Sequence, residues 1–209
     1  DQFFGDVLAD ISSRRGQGDW LSIASVPTFA ARWLITRLPL LSAAHPQLQV
    51  HIDARSRPFL FSDAQVDAAL FAGTPEQVRQ WAGAQALLLF PEDVVPVCSP
   101  ALLRRRRPVT PQALASMPLL QQSTRPEAWR QWFDAQGVYA EQAMAGPRYE
   151  LFSMQAAAAA CGMGVALMPT LLVEQELARG DLVVACERPL RGQRSYYLVQ
   201  PAADERPAL

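Results

Sequence analysis

LSIASVPTFAARWLITRLPLLSAAHPQLQVHI, residues 21–52, reads as a strand, a helix and a second strand in one run. LSIAS, residues 21–25, is the first strand. Pro27 fits the first helical position, where a missing N–H costs nothing and the fixed φ already suits a helix. Phe29, Trp33, Leu34, Leu38 and Leu41 then recur on one helical face, and His45-Pro46 ends the helix. LQVHI alternates, with Leu48, Val50 and Ile52 on one side. A short irregular or helical link, RSRPFLFSDAQ, leads to a third strand in VDAALF, residues 66–71. The order β-α-β-α-β predicts a parallel, doubly wound sheet.

The same alternation resumes further along. ALLLF and VVPVCS (86–90 and 94–99) read as a strand pair or one long bent strand around Pro91. A helix opened by Thr110 and Pro111 follows. PLLQQS is a strand, and RPEAWRQWFDAQG is a helix carrying Trp129, Trp132 and Phe133, closed by Gly137. GPRYEL is a strand, SMQAAAAACGMG a helix and VALMP a strand. TLLVEQELARG is a helix with Gly180 past its end, and LVVACE and RSYYLVQ are strands. The Ala156–Ala160 run reads as close helix-on-sheet packing. Two α/β lobes joined by two chain passes predict a cleft with a hinge. The expected bounds are 19–92 plus 187–209 for lobe I and 93–186 for lobe II.

Residues 1–18 predict a short amphipathic helix, with Phe3, Phe4, Val7, Leu8 and Ile11 at helical spacing. It reads as the end of a longer upstream helix, and the chain as a fragment whose upstream part is missing. Pairing with another chain and packing on its own domain are both open for it. The chain has 209 residues, half of them hydrophobic, and a net charge of −1. That balance speaks against nucleic-acid binding by this chain itself. The four arginines at 104–107 make no extended stripe and read as a solvated loop or helix end. No apolar run is long enough for a transmembrane helix, and the acidic start does not resemble a secretion signal. Cys98, Cys161 and Cys186 read as reduced thiols of a cytoplasmic protein, buried among apolar neighbours. Neither His45 nor His51 joins a metal-ligand spacing, and no catalytic motif is present, so no metal, cofactor or enzymatic activity is expected.

The segments PTFAARWLITRLPLLSAAHPQLQV, VDAALFAG, PVCSPAL, EAWRQWF, CGMGVALMP and ARGDLVV run in order through nearly the whole chain. Together they resemble the effector-binding domain of LysR-type transcriptional regulators. The tryptophan pair of EAWRQWF is similar to the subgroup of the glycine-cleavage activator and the β-lactamase-gene regulator. The resemblance implies an α/β, two-lobed fold of the type 2 periplasmic-binding-protein kind with an interlobe cleft. It implies a winged helix-turn-helix domain upstream, which alone would touch DNA, with residues 1–18 ending the linker helix and PAL at 207–209 opening a truncated last helix. It also implies a small-molecule effector, a homodimer or homotetramer, and no membrane partner. A transport-type solute-binding protein of the same fold is the competing reading.

In an open α/β sheet, ligands sit beyond the carboxyl ends of the strands. Two helices are expected to start there, near Pro27 and near Ser153, each with unsatisfied N–H groups and about half a positive charge. Ser25 and Thr28 add hydroxyls to the first start, the amides of Thr28 and Phe29 would face the ligand, and Ser153 adds a hydroxyl to the second. Ser25 or Thr28 capping its own helix is the alternative. By resemblance, Thr28 and Tyr196 fall at effector-lining positions, and Ser99 with Gln122 and Ser123 would form the opposite wall. Tyr196 also reads as a core aromatic. Phe71 and Phe152 stand where the family often has an arginine and a small hydroxyl. They predict an effector of apolar or aromatic character, unless both rings turn into the core.

Overall fold

The computed structural model describes Gly5, Leu8, residues 20–103 and residues 109–202. The four arginines at 104–107, residues 207–209 and all of 1–18 except Gly5 and Leu8 lie outside the described residues. Gly5 and Leu8 are helical; Leu8 is fully buried and Gly5 lies against the side chain of Leu41. The described chain forms two compact units: unit 1 up to Pro91 and again from Gln193, and unit 2 from Glu92 to Gly192.

Unit 1 begins with β1 (Trp20–Ser25). The next helix, α1, opens as an α turn at Pro27–Phe29 and widens to a π turn over Ala30–Leu34. It then tightens over Ile35–Arg37 and ends as an α-helix over Leu38–Ala44. Phe29, Leu34 and Leu41 bury its inner face, as the spacing predicts. β2 (Gln49–Ala54), the single turn α2 (Phe61–Ala64), β3 (Ala68–Gly73) and α3 (Pro75–Arg79) follow. β1 pairs in parallel with β2 on one side and with β3 on the other. The chain therefore leaves β1 outward and returns across it, which makes the carboxyl end of β1 a topological switch point.

One 15-residue strand, β4 (Ala84–Cys98), replaces the alternative of a strand pair. Its first half belongs to unit 1 and its second to unit 2, and Pro91 is the last residue before the change. Unit 2 continues with α4 (Pro100–Leu103), α5 (Pro111–Leu114), β5 (Leu119–Gln122), α6 (Ala128–Ala135) and β6 (Arg148–Tyr149). Then come α7 (Phe152–Ala160), β7 (Val165–Pro169), α8 (Glu174–Arg179), β8 (Val183–Val184) and β9 (Leu190–Pro201). β5 pairs in parallel with β6 and with β7, so it repeats in unit 2 the place of β1 in unit 1. The parallel reading holds for these triplets alone. β4 runs antiparallel to β7, and β9 runs antiparallel to β3.

The tryptophan pair is structural. Trp129, Trp132 and Phe133 are buried with their rings 5.1–5.9 Å apart, and the two indole N–H groups donate to the carbonyls of Leu120 and Arg188 at 2.9 Å. The alanine run lets α7 settle closely on the sheet, with Ala156 and Ala159 against Val95, Val97, Leu120 and Ala166. Gly164 serves the same closeness, since a Cβ there would strike the Pro118 carbonyl and the Leu120 side chain.

Candidate functional site

Strand direction decides which expected site residues meet. In unit 1, β1 ends at Ser25, level with Leu70 of β3. β9 runs the other way, so its Tyr196 lies opposite Ala72, near the same carboxyl edge. α1 starts directly above. The Tyr196 ring stacks on Phe29 at 4.5 Å, Phe29 stacks on Trp33 at 4.7 Å, and Phe90 tilts against all three. Ser25, Pro27, Thr28, Phe29 and Tyr196 are thus brought to one edge. Tyr196 is 1 % exposed, so its ring is a core aromatic as well as a member of this edge.

The residue at the capping position of α1 supplies no side-chain hydrogen bond. The residue before Pro27 is Val26, which has no side-chain hydrogen-bonding group. The Ser25 hydroxyl makes only a long contact, 3.4 Å, to the Val26 carbonyl. Side-chain capping by Ser25 is therefore not what the first turn uses. Its partial positive end faces the carboxyl edge with buried hydroxyls beside it.

Phe71 is elsewhere. Successive side chains of a strand point to opposite faces. Phe71 pairs with Tyr197, whereas Ala72 pairs with Tyr196. Phe71 therefore projects away from α1 into a cluster with Phe61, Val78 and Tyr197, edge-on to Trp81 at 5.3 Å. This corrects the expectation that it lines the site.

In unit 2, the carboxyl edge of the parallel triplet holds Gln122 at the end of β5, Ser123 beyond it, and the start of α7 at Phe152 and Ser153. The Ser123 amide donates to the Tyr149 carbonyl at 2.8 Å, tying the ends of β5 and β6 together. α7 is preceded by Leu151, which likewise supplies no side-chain cap. Ser99 does not join this group. β4 is antiparallel to β7, so its carboxyl end lies at the opposite edge. The Ser99 amide accordingly donates to the carbonyl of Ala159, at the far end of α7 from Ser153. The expected wall of Ser99 with Gln122 and Ser123 is not formed.

The same reversal delivers residues that sequence reasoning missed. The first unit-2 residue of β4, Glu92, reaches the carboxyl edge with its side chain 3 % exposed. It meets Arg125 in a two-pronged pair, Nη1 to Oε1 and Nη2 to Oε2, the latter 2.9 Å long. The Arg125 guanidinium also lies 4.7 Å over the ring of Phe152. Phe152 is half-buried beneath this charge. With Phe71 in the core and Phe152 engaged, the argument for an aromatic effector loses both its supports. The only sequence signal for the pair is one arginine three residues past Gln122, and pairing it with Glu92 requires the direction of β4.

Beside this edge, Asp93 and Arg191 form a second two-pronged pair at 2.7 Å. The hydrogen bonds from Arg191 hold the Asp93 carboxyl below its ordinary range. Burial pushes the Cys186 thiol up, as expected of an inert core cysteine. Among the described residues, no three His, Cys, Asp or Glu side chains gather in a way that could hold a metal ion. No helix among the described residues is long and apolar enough to cross a membrane.

Residues 14–209 match the family described as the LysR substrate binding domain. The glycine cleavage system transcriptional activator of Escherichia coli is 32% identical over 195 residues, covering 93% of this chain and 62% of the relative. The transcriptional activator AmpR of Rhodobacter capsulatus is 32% identical over 206 residues, covering 97% of this chain and 68% of the relative. The solved effector domain of AmpR from Pseudomonas aeruginosa superposes with a TM-score of 0.77 at 25% identity, covering 88% of this chain and 86% of that one. These are regulators, which decides against the transport-type alternative. The chain spans 62% of the length of the first of these relatives. It belongs to the LysR substrate-binding domain family, and is a ligand-sensing domain of the kind LysR-type transcription regulators carry, with their type 2 periplasmic-binding-like α/β fold.

Proposed function

We propose that this domain binds a small organic effector at a helix start, the candidates being the start of α1 in unit 1, with Ser25, Pro27, Thr28, Phe29 and Tyr196, and the start of α7 in unit 2, with Gln122, Ser123, Phe152 and Ser153. The observation that carries this reading is that each helix begins at a switch-strand edge after an apolar residue, Val26 or Leu151, that supplies no side-chain cap. Helix starts of that kind favour anionic or acceptor-bearing groups. The longer regulator would carry a winged helix-turn-helix domain ahead of this one, bind DNA through it, and work in the cytoplasm as a homodimer or homotetramer. The effector can shift such a regulator only by its differential affinity for two states of the protein. No cofactor, metal or catalytic step enters this reading.

A thermal-shift screen of metabolites identifies the effector class, because a ligand that binds only the folded chain raises its apparent stability. Thr28→Val then tests the site. It keeps the shape of the side chain and removes the hydroxyl. A weaker effector response at unchanged fold is the expected result, and an unaltered dose response takes Thr28 out of the site.

A further inference from the structure

Unit 2 holds two amide oxygens that have no hydrogen-bond partner among the described residues. Gln122 Oε1 and Gln155 Oε1 are both buried and without a hydrogen-bond partner, in residues only 5% and 1% exposed. Buried acceptors left unpaired are costly and rare. The orientation of the Gln155 amide is fixed chemically, because its Nε2 donates to the Leu120 carbonyl at 2.8 Å and an oxygen in that position would face another acceptor. The vacant position is therefore an acceptor.

The two side chains lie on the same face of the sheet. Gln155 lies in the first turn of α7 and reaches across to β5. Gln122 is the last residue of β5, two after Leu120, so it points to the same face of the sheet. That face is the one α7 covers, since Leu120 packs with Ala156 and Ala159. Its neighbour Gln121 points to the other face, where its amide nitrogen donates to the carbonyls of Ala143 and Ala145.

We infer that unit 2 recognises an N–H donor of its ligand, an ammonium or amide group taken by Gln122 with Gln155 behind it, while the start of α7 takes an adjacent carboxylate or carbonyl oxygen. This rests on the proposed reading of α7 as a ligand-binding helix start and narrows its ligand to compounds in which donor and acceptor are neighbours. A helix start accounts for the acceptor end alone; the orphaned oxygens account for the donor end.

The test uses the 209-residue chain with L-alanine, L-alaninamide and propionate as probes in calorimetric titration, beside the variant Gln122→Met. The amine-bearing probes are expected to bind about tenfold or more tightly than propionate, because a site built for a donor rejects the analogue that lacks it. Gln122→Met is expected to abolish that difference. It is also expected to raise the melting temperature of the free chain by about 2–6 °C by removing an unpaired buried oxygen. Equal binding of propionate overturns the inference while leaving the helix-start reading intact. A Gln122→Met variant that melts lower than the parent overturns it too, since the oxygen must then have a partner. If no amine-bearing probe binds up to tens of millimolar, the inference fails whatever the variant does. An unaltered response of Thr28→Val, by contrast, bears on the unit 1 site and leaves this result standing.

Discussion

Glu92 and Arg125 bring opposite charges together largely out of water, beside the first turn of α7. Each charge needs the other, so removing one strands its partner. Glu92→Gln is expected to lower the unfolding free energy by about 2–3 kcal/mol in denaturant titration, somewhat below the full penalty because Arg125 keeps some contact with water. It should also loosen the start of α7, weakening effector binding more than Phe71→Ala does. Phe71→Ala removes a buried ring from the far face and should cost about 3 kcal/mol of stability with effector affinity unchanged in the surviving folded protein. Loss of affinity in Phe71→Ala at retained fold would return that residue to the site. Ser25 and Thr28 were legible in the sequence because a strand, a proline and a helical face follow one another without a break, whereas Tyr196 was placed at this edge only by the family resemblance. Ser99 and Phe71 were misplaced because a strand motif alone reveals neither its direction in the sheet nor the side of the pleat a residue takes.

Some helix starts of this molecule are closed by side chains and others are not. At α3, Thr74 accepts from the Gln77 amide while the Gln77 side chain accepts from the Thr74 amide, and Thr110 caps α5 at 3.2 Å. Thr74→Ala is expected to cost about 1 kcal/mol, read from the denaturation midpoint, without effect on effector response. A change in that response would mean that α3 belongs to the site. At α1 and α7 the preceding residues, Val26 and Leu151, supply no such cap, and those two starts lie at the switch-strand edges. Helix positions were largely readable from apolar spacing, but the π turn over Ala30–Leu34 was not, since one widened turn barely disturbs the spacing of Phe29, Trp33 and Leu34. The shrinkage of two expected strands to Arg148–Tyr149 and Val183–Val184 reflects how far their partners extend, which local sequence does not carry. β4 and β9 contribute Asp93 and Arg191, whose pairing holds the Asp93 carboxyl low. A depressed carboxylate stabilises the fold fully above its unfolded value, about 3.9, and loses that contribution as pH falls through its lower folded value. Asp93→Asn should therefore lower stability slightly at neutral pH, flatten the acid limb below about pH 4 by the same small amount, and leave the acid end unchanged, the effect being small because both side chains are well exposed. An unchanged acid limb would remove this pair from the pH response.

At the scale of the molecule, the alternation of strands and helices fixes two α/β units, and the family match assigns the fold to a ligand-sensing domain. The order of elements was readable because each apolar run has its own length and its own glycine or proline stop. The antiparallel course of β4 and β9 was not, since a strand's direction is set by where the chain must go next. That course places Tyr196 and Glu92 at the carboxyl edges and removes Ser99 from them. The account stands or falls on those edges, and amide chemical shifts report on them directly. In a titration of the isotope-labelled chain with a metabolite that raises its melting temperature, the largest shifts should fall on Thr28, Phe29, Phe152 and Ser153. Shifts centred instead on Ser99 or on the cluster around Phe71, with both helix starts silent, would contradict it.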